Sequence, residues 1–385
     1  MMQVLLTTTR AWYLDKTAKA FSQRGALAGL WMADNNATRL PAGEYRRCWP
    51  YHLAMKPFYH CTPQIWSERA TYFFLHVYTR WLRAQLRSAR CPQFDVVHAI
   101  MGFATEIFDR ADEIGALKVI DAPNSHPTSY YGYWQRECDL WCPGEKVPIP
   151  RYMFARMNRE LSRADIVIAQ SNFCKESMVA NGIPAEKIIV NLMGVDTSVF
   201  RKRETVPKKI RFVCVGTICL RKGYQYLFRA FQLAKQRLPD AELVCVGDYK
   251  CDFRLERPKW EGSFTHYPRL THPQIAELLK SCTAFVFPSQ EEGIARAQIE
   301  CMACGLPGIG THEAGTTTLI KDGESGFIVR GNDPQQIADA MVRMAKDPAM
   351  NQRMGEAAYQ KGAERNTWQD YGDRLLAEYE RRLTK

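Results

Sequence analysis

The sequence has no run of 18 or more apolar residues, which argues against a transmembrane helix. No basic stretch precedes the short apolar core of MMQVLLTTTRAW, which argues against a secretory leader. Internal repeats and low-complexity tracts are absent. Cysteine is not scarce, but 13 is an odd number, which argues against a complete set of internal disulfides. Cys214, Cys245 and Cys282 lie in apolar, strand-like runs, where a thiol packs as a small hydrophobe. That usage fits a reducing compartment. Cys301 and Cys304 make a CxxC inside the helical-looking IECMACG, with no second pair at metal-ligand spacing. Cys138 and Cys142 flank a Trp-rich loop near His126, where zinc is the alternative to packing. A cytoplasmic protein is expected.

What is present is globular. Of 385 residues, 46% are hydrophobic and 24% charged, enough core-forming side chains for two domains and too many for disorder. A formal net charge of +11 suits anionic partners: nucleotides, nucleic acid or anionic lipid headgroups.

Short apolar runs alternate with amphipathic helical stretches. VLLTT (4–8), VVHAIM (96–101), KVIDA (118–122), DIVIAQ (165–170) and KIIVNL (187–192) read as buried parallel strands. IRFVCVG (210–216), AELVCVG (241–247), TAFVFPS (283–289), PGIGT (307–311) and GFIV (326–329) form a second series. Between them DTSVFRKRETVPKK (196–209) is polar, charged and Pro-containing, the best interdomain linker. The pattern predicts an α/β protein of two Rossmann-like domains facing each other across a cleft, with residues 1–195 in the first and 196–365 in the second. The stretch 366–385 is expected to be a helix packing back on the N-terminal domain. Asp333, Asp347 and the Asn366-Thr367 pair look like helix starts.

Two segments carry chemistry. In QEEGIARAQIECMACGLPGIGTHEAG (290–315), Glu292 sits in a loop after a strand and Glu300 lies eight residues on, inside a helix. Gly293 permits close backbone approach, and the amides of residues 293–296 would form a helix N-terminus able to hold anionic or polar groups. Two carboxylates so placed can accept hydrogen bonds from two sets of sugar hydroxyls; a capped surface helix with two ordinary glutamates fits the same spacing. In VCVGTICLRKGYQYLFRAF (213–231), a strand ends at Gly216 and Arg221-Lys222-Gly223 opens a helix. Two cations there suit a diphosphate. The loop is neither GxxxxGK[ST] nor GxGxxG, and a solvated Arg-Lys pair is the plain alternative.

In their context these segments resemble the family-4 retaining glycosyltransferases of the GT-B fold. VGTICLRKGYQYLFRAF is similar to the family's phosphate loop, EEGIARAQIECMACGLPGIGT to its E-x7-E segment, and NLMGVDTSVF (191–200) to its NGVDxxxF hinge. ADIVIAQSNFCKESMVANGIPAEKIIV (164–190) is similar to the unit that closes its N-terminal domain. The resemblance runs from about 160 to 365. It implies that Arg221 and Lys222 bind the donor diphosphate, beside Gly216 and Thr217. It implies that Glu292 binds the donor sugar near the amides of Gly293, Ile294 and Ala295, and that Glu300 binds the ribose. His126 is implied to be a cleft histidine near the donor sugar and acceptor, with His98 as scaffold. Tyr267 and Arg269 are candidates beside the nucleobase. The co-substrate is a nucleotide sugar, UDP-sugar before GDP-sugar, with no other cofactor. No D-x-D occurs, which argues against a metal-dependent GT-A enzyme and leaves the electrostatic work to the cations and the helix dipole.

The expected activity is transfer of a sugar, with retention, to a hydroxyl of a glycan or lipid-linked acceptor in bacterial envelope or exopolysaccharide synthesis. A small soluble acceptor, or a noncatalytic polyanion-binding protein with this shell, are the alternatives. The first strand runs into TTTRAWYLDK (7–16), which lacks the family's glycine-rich loop; Thr8, Thr9 and Arg10 stand in its place.

Residues 36–90 hold nine Arg and Lys against two Glu, a net charge of +7, and eleven aromatic residues. The spacing predicts a long helix over 65–90 with Arg80, Arg83, Arg87 and Arg90 on one face and Trp66, Phe73 and Tyr78 as amphipathic anchors. A solvated helix over a core is the plain reading. Contact with anionic membrane at the inner face of the cytoplasmic membrane is the functional one, preferred to single-stranded nucleic acid.

Overall fold

The computed structural model describes residues 1–385 except 11–12, 34–39, 42, 60–69, 365 and 385. Two parallel sheets frame the molecule. The first contains β1 (Val4–Thr7), β2 (Leu27–Met32), β3 (Tyr45–Arg47), β4 (Val96–Ile100), β5 (Leu117–Ala122), β6 (Ile166–Ala169) and β7 (Ile188–Val190), in the order β3-β2-β1-β4-β5-β6-β7. The second contains β8 (Arg211–Val215), β9 (Glu242–Val246), β10 (Thr265–Tyr267), β11 (Ala284–Phe287), β12 (Gly308–Gly310) and β13 (Gly326–Ile328), in the order β10-β9-β8-β11-β12-β13. Every residue of β1, β6 and β11 is buried, as expected of parallel strands with helices on both faces.

Each sheet reverses its strand order once, between β1 and β4 and between β8 and β11. Loops leaving the carboxyl ends of those neighbours turn to opposite faces and open a crevice, the usual ligand position in such sheets. The order of the elements therefore brings together residues 8–10, 101–103, 216–222 and 288–292, the segments that follow those four strands.

All ten strands expected from the sequence occur. Three more do too. β2 reads LAGLWM, without a β-branched residue, and burial between β1 and β3 outweighs that local preference. β3 and β10 are three-residue edge strands, too short to show a pattern. The helix starts hold: Asp333, Asp347 and Thr367 each accept a backbone N–H two or three residues into the following helix, and Thr367 with Asp370 completes a capping box.

The helix Trp368–Leu383 lies on the helix Leu14–Gln23, and Gly372 lets it approach: a Cβ there would sit 2.6 Å from Ala20 Cβ. Beneath it runs a fully buried polar network. Asp121 on β5 accepts from Tyr13 OH at 2.5 Å, Gln170 Nε2 at 2.7 Å and Tyr371 OH at 3.4 Å. His98 on β4 lies 3.3 Å from the same carboxylate, with Tyr379 OH 2.9 Å from its Nδ1. His98 is thus scaffold, tying strand ends to the C-terminal helix.

The helix expected over 65–90 is corrected. Residues 60–69, including Trp66, lie outside the described ones. The chain is helical over 70–73, turns at Phe74 and is regular helix over Leu75–Arg87; it is extended at Ser88, so Arg90 leaves the stripe. Tyr78 is core rather than an anchor, because it shares the buried face with Leu75, Leu82 and Leu86. Arg80, Arg83 and Arg87 remain exposed, while Phe73 is 70% exposed beside them.

Candidate active site

The β8 loop is held against the β11 loop by backbone. Gly223 opens the helix Tyr224–Arg237 with φ of +73°, and a Cβ there would stand 1.9 Å from Pro288 O. Only glycine suits both the angle and the contact. Gln290 N–H donates to Arg221 O at 2.8 Å, and Tyr224 OH to Gly216 O at 2.8 Å. These contacts aim Arg221 and Lys222 at residues 291–292. Arg221 Nη1 donates to Glu291 O at 2.5 Å, to Glu291 Oε2 at 3.0 Å and to Glu292 Oε1 at 3.0 Å. Lys222 Nζ stands 2.5 Å from the same Glu292 oxygen.

Two cations and two carboxylates thus share a nearly dry corner. Burial pushes the Glu292 carboxyl up, but Arg221 and Lys222 outweigh it and hold it below the usual carboxylate range. For Glu291 burial wins, and its carboxyl is raised despite Arg221. Burial opposes the charge on Arg221, yet Glu292 above all keeps it firmly cationic. An entering diphosphate would exchange carboxylate for phosphate oxygens on cations already in position.

Facing this corner is a cleft cavity of about 350 Å³. Thr9 and Arg10 from the glycine-free first loop line it, as do Ile100 at the end of β4, Met101 and Phe103 after it, and Pro123, Asn124 and Ser125 after β5. From the other sheet come Thr217, Cys219, Arg221, Lys222 and Lys250. The two halves meet closely. A Cβ at Gly293 would lie 1.9 Å from Pro123 O, so glycine is required where the β11 loop crosses the β5 loop. Trp134 Nε1 donates to Asp252 Oδ2 at 3.0 Å, and the buried Glu137 accepts from Gln225 Nε2 at 3.0 Å and Tyr226 OH at 2.9 Å.

The remaining sequence candidates are more dispersed. Ile294 and Ala295 are buried beside Gly293, but the helix begins only at Arg296, so 293–295 form its approach and not its first turn. Glu300 lies on that helix, Arg296–Ala303, largely buried, with Arg296 Nε 3.6 Å away. Burial raises its carboxyl against the pull of Arg296 and His272. Tyr267 ends β10 and lines a separate shallow depression with Leu270 and Gln274, and Arg269 is exposed just beyond. Gly247, just past β9, accommodates the carbonyl of Gly216 and donates its N–H to Tyr267 O at 2.9 Å, so a rim runs from the β8 loop to Tyr267.

His126 lies between β5 and the helix Pro127–Trp141. It is buried, does not line the cavity, and acts as the N-cap of the helix Pro127–Trp141, its Nδ1 accepting from Thr128 N–H at 3.3 Å. Burial lowers its pKa, which suits a neutral acceptor. Cys138 and Cys142 are buried free thiols, and among the described residues no three His, Cys, Asp or Glu gather as a metal site. The sequence reading missed Glu291, Lys250 and Trp134. The doubled Glu in QEEG was the visible signal for the first; nothing in the local pattern marks the other two.

Residues 196–361 match the family described as glycosyl transferases group 1. A D-inositol 3-phosphate glycosyltransferase of Stackebrandtia nassauensis is 33% identical over 315 residues, 68% of this chain and 70% of that protein. One from Paenarthrobacter aurescens is 28% identical over 233 residues, 56% of this chain and 57% of that protein. The chain spans about half the length of the Paenarthrobacter protein and of two further relatives of that description, from Arthrobacter and Pseudarthrobacter. Among solved structures, Anabaena HepE in complex with UDP-glucose superposes with a TM-score of 0.70 at 15% identity, over 99% of this chain and 100% of that one, a likeness of fold.

Proposed function

The chain belongs to the group 1 glycosyltransferases, of family-4 type and GT-B fold, and from that premise we propose that it moves a sugar from a nucleotide diphosphate sugar to an acceptor hydroxyl with retention of configuration. The observation that carries this is Arg221 and Lys222 fixed against Glu292 at the β8–β11 switch point, opening on a cavity shared by both sheets. In the transition state the departing nucleoside diphosphate gains negative charge, and cations that need no rearrangement stabilise it. Gly216 and Thr217 flank the diphosphate. Glu292 takes a donor-sugar hydroxyl, and Glu300 the ribose hydroxyls. The rim that ends at Tyr267 and Arg269 holds the base. The HepE structure contains UDP-glucose, which favours a UDP-sugar here, with a GDP-sugar as the alternative. His126 fixes the loop after β5 through its cap instead of moving a proton.

The acceptor reaches the cavity from the N-terminal side, and a glycan or lipid-linked acceptor of envelope or exopolysaccharide synthesis is the reading preferred. Among the described residues no helix is long and apolar enough to cross a membrane. The exposed Arg80, Arg83 and Arg87, with Phe73, would instead rest the N-terminal half on anionic lipid, each Arg contributing about 1 kcal/mol at such a surface. Changing the three arginines to Gln should weaken sedimentation with anionic phospholipid vesicles and leave nucleotide affinity unchanged. A parent protein that ignores such vesicles at low salt ends this part of the proposal.

The test of function is incubation with UDP-, GDP- and ADP-sugars, scoring release of nucleoside diphosphate and, on any product, the anomeric configuration by NMR. An α-linked product from an α-donor supports the reading; an inverted product contradicts it, and retention of nucleic acid without turnover favours a polyanion-binding role. The two glutamates separate in the same assay. Glu292→Gln should chiefly lower turnover, and Glu300→Gln should weaken binding of the free nucleoside diphosphate. Parent-like affinity in the Glu300 variant would remove the ribose assignment.

A further inference from the structure

Glu291 stands outside every role assigned so far, although it is the most completely engaged carboxylate at the site. Its side chain is fully buried. Oε1 accepts from Ser125 N–H at 3.0 Å and Ser125 Oγ–H at 2.9 Å. Oε2 accepts from Asn124 Nδ2 at 3.3 Å and Arg221 Nη1 at 3.0 Å. Three of these donors come from the loop after β5, in the first sheet, and the fourth from the phosphate loop of the second. Its own carbonyl receives the same Arg221 nitrogen at 2.5 Å. Arg221 is flanked on the cleft side by the rings of Tyr130 and Trp134, 5.6 and 6.0 Å from its guanidinium carbon, both on the helix that the β5 loop leads into.

A carboxylate has about four acceptor positions, and here each is used. Burial alone requires every lone pair to be partnered; what is particular to Glu291 is that its partners come from both sheets and include the Arg221 nitrogen that also meets Glu292. We propose that Glu291 is a positioning residue, which registers the Arg221 guanidinium against the Asn124–Ser125 loop so that the donor cation is set only when the two halves are closed. The inference rests on the reading of Arg221 as the donor-phosphate cation. It touches no substrate and acts through Arg221. Its negative charge also lies beside the phosphate subsite, so removing that charge does not weaken diphosphate binding, while losing the register slows transfer. That split separates positioning from mere support of the fold.

The experiment is a cycle of Glu291→Gln with Arg221→Ala, using whichever of UDP-glucose and GDP-mannose the parent turns over, with UDP or GDP as the calorimetric probe. The expected result is a kcat at least tenfold below the parent in Glu291→Gln, with a probe stoichiometry of one and a Kd within threefold of the parent or tighter. In the Arg221→Ala background the same change lowers kcat by less than threefold. A kcat within threefold of the parent, or an equal drop in both backgrounds, overturns the proposal while leaving the function intact. Parent-like turnover in Arg221→Ala overturns the underlying reading instead. Should Glu291→Gln not fold, Ser125→Ala decides, since it keeps the buried carboxylate bonded to the backbone and Arg221. A kcat at least threefold below the parent, with unchanged probe affinity, supports the role, and a parent-like kcat overturns it.

Discussion

Alanine at Arg221, or at Lys222, is expected to lower kcat together with donor affinity, by about 2–4 kcal/mol of transition-state stabilisation, roughly 30- to 1,000-fold. The reason is geometric. Both side chains are held in place before any ligand arrives, Arg221 by a backbone carbonyl and two carboxylates and Lys222 by Glu292. No reorganisation is then needed when charge appears on the leaving phosphate, which is what makes such groups effective in a closed site. Arg221→Lys should fall between, because one ammonium cannot serve a phosphate and both carboxylates as a planar fork does. Steady-state kinetics with varied donor measure this. Parent-like turnover in both alanine variants removes the cations from the mechanism.

The second large effect is on stability. Asp121→Ala should destabilise the fold by about 3–5 kcal/mol, the range for removing one partner of a buried polar pair. Tyr13, Gln170, Tyr371 and His98 all approach that carboxylate, and all are buried. Tyr13, Tyr371 and His98 would lose that partner, while Gln170 Nε2 keeps Tyr13 OH at 2.8 Å, and unsatisfied buried donors carry their own desolvation penalty. Since Tyr371 belongs to the C-terminal helix and Tyr379 joins through His98, that helix should loosen first, read as early hydrogen exchange over 368–383. Tyr379→Phe removes one hydroxyl and should be milder. Urea unfolding that places Asp121→Ala within 1 kcal/mol of the parent would show the network to be dispensable.

The fold was legible because its strands announce themselves. IVIA and AFVF are continuous apolar runs and VVHAI is broken only by His98, and sheets buried on both faces select such runs. The elements that went unread lack that signature. β2 is a Leu-Ala-Gly-Leu-Trp-Met stretch made a strand by its neighbours. In the basic segment, the absence of Pro and Gly over 65–90 suggested one long helix and the arginine spacing its face, whereas the burial of Tyr78 and Leu82 and the extended Ser88 set its real face and end. At the site, Arg221, Lys222 and Glu292 were readable from motifs and the structure brings them within 3.0 Å. His126 was read by position after a strand, and the structure adds that its Nδ1 caps the helix that follows. Glu291, Trp134 and Lys250 depend on which loops face one another across two sheets, and short-range patterning carries no record of that. The glycine-free first loop proved informative in another way, since Thr9 and Arg10 line the cavity that a glycine-rich loop would otherwise approach.

The measurement closest to the central claim is calorimetric titration of the parent and the Arg221→Ala variant with UDP, GDP and ADP and their sugars. The account predicts one nucleotide sugar bound per chain of the parent, at least tenfold more tightly than by the variant, with affinity falling as salt rises. Absence of binding across the whole panel, or equal affinity in the two proteins, would contradict it.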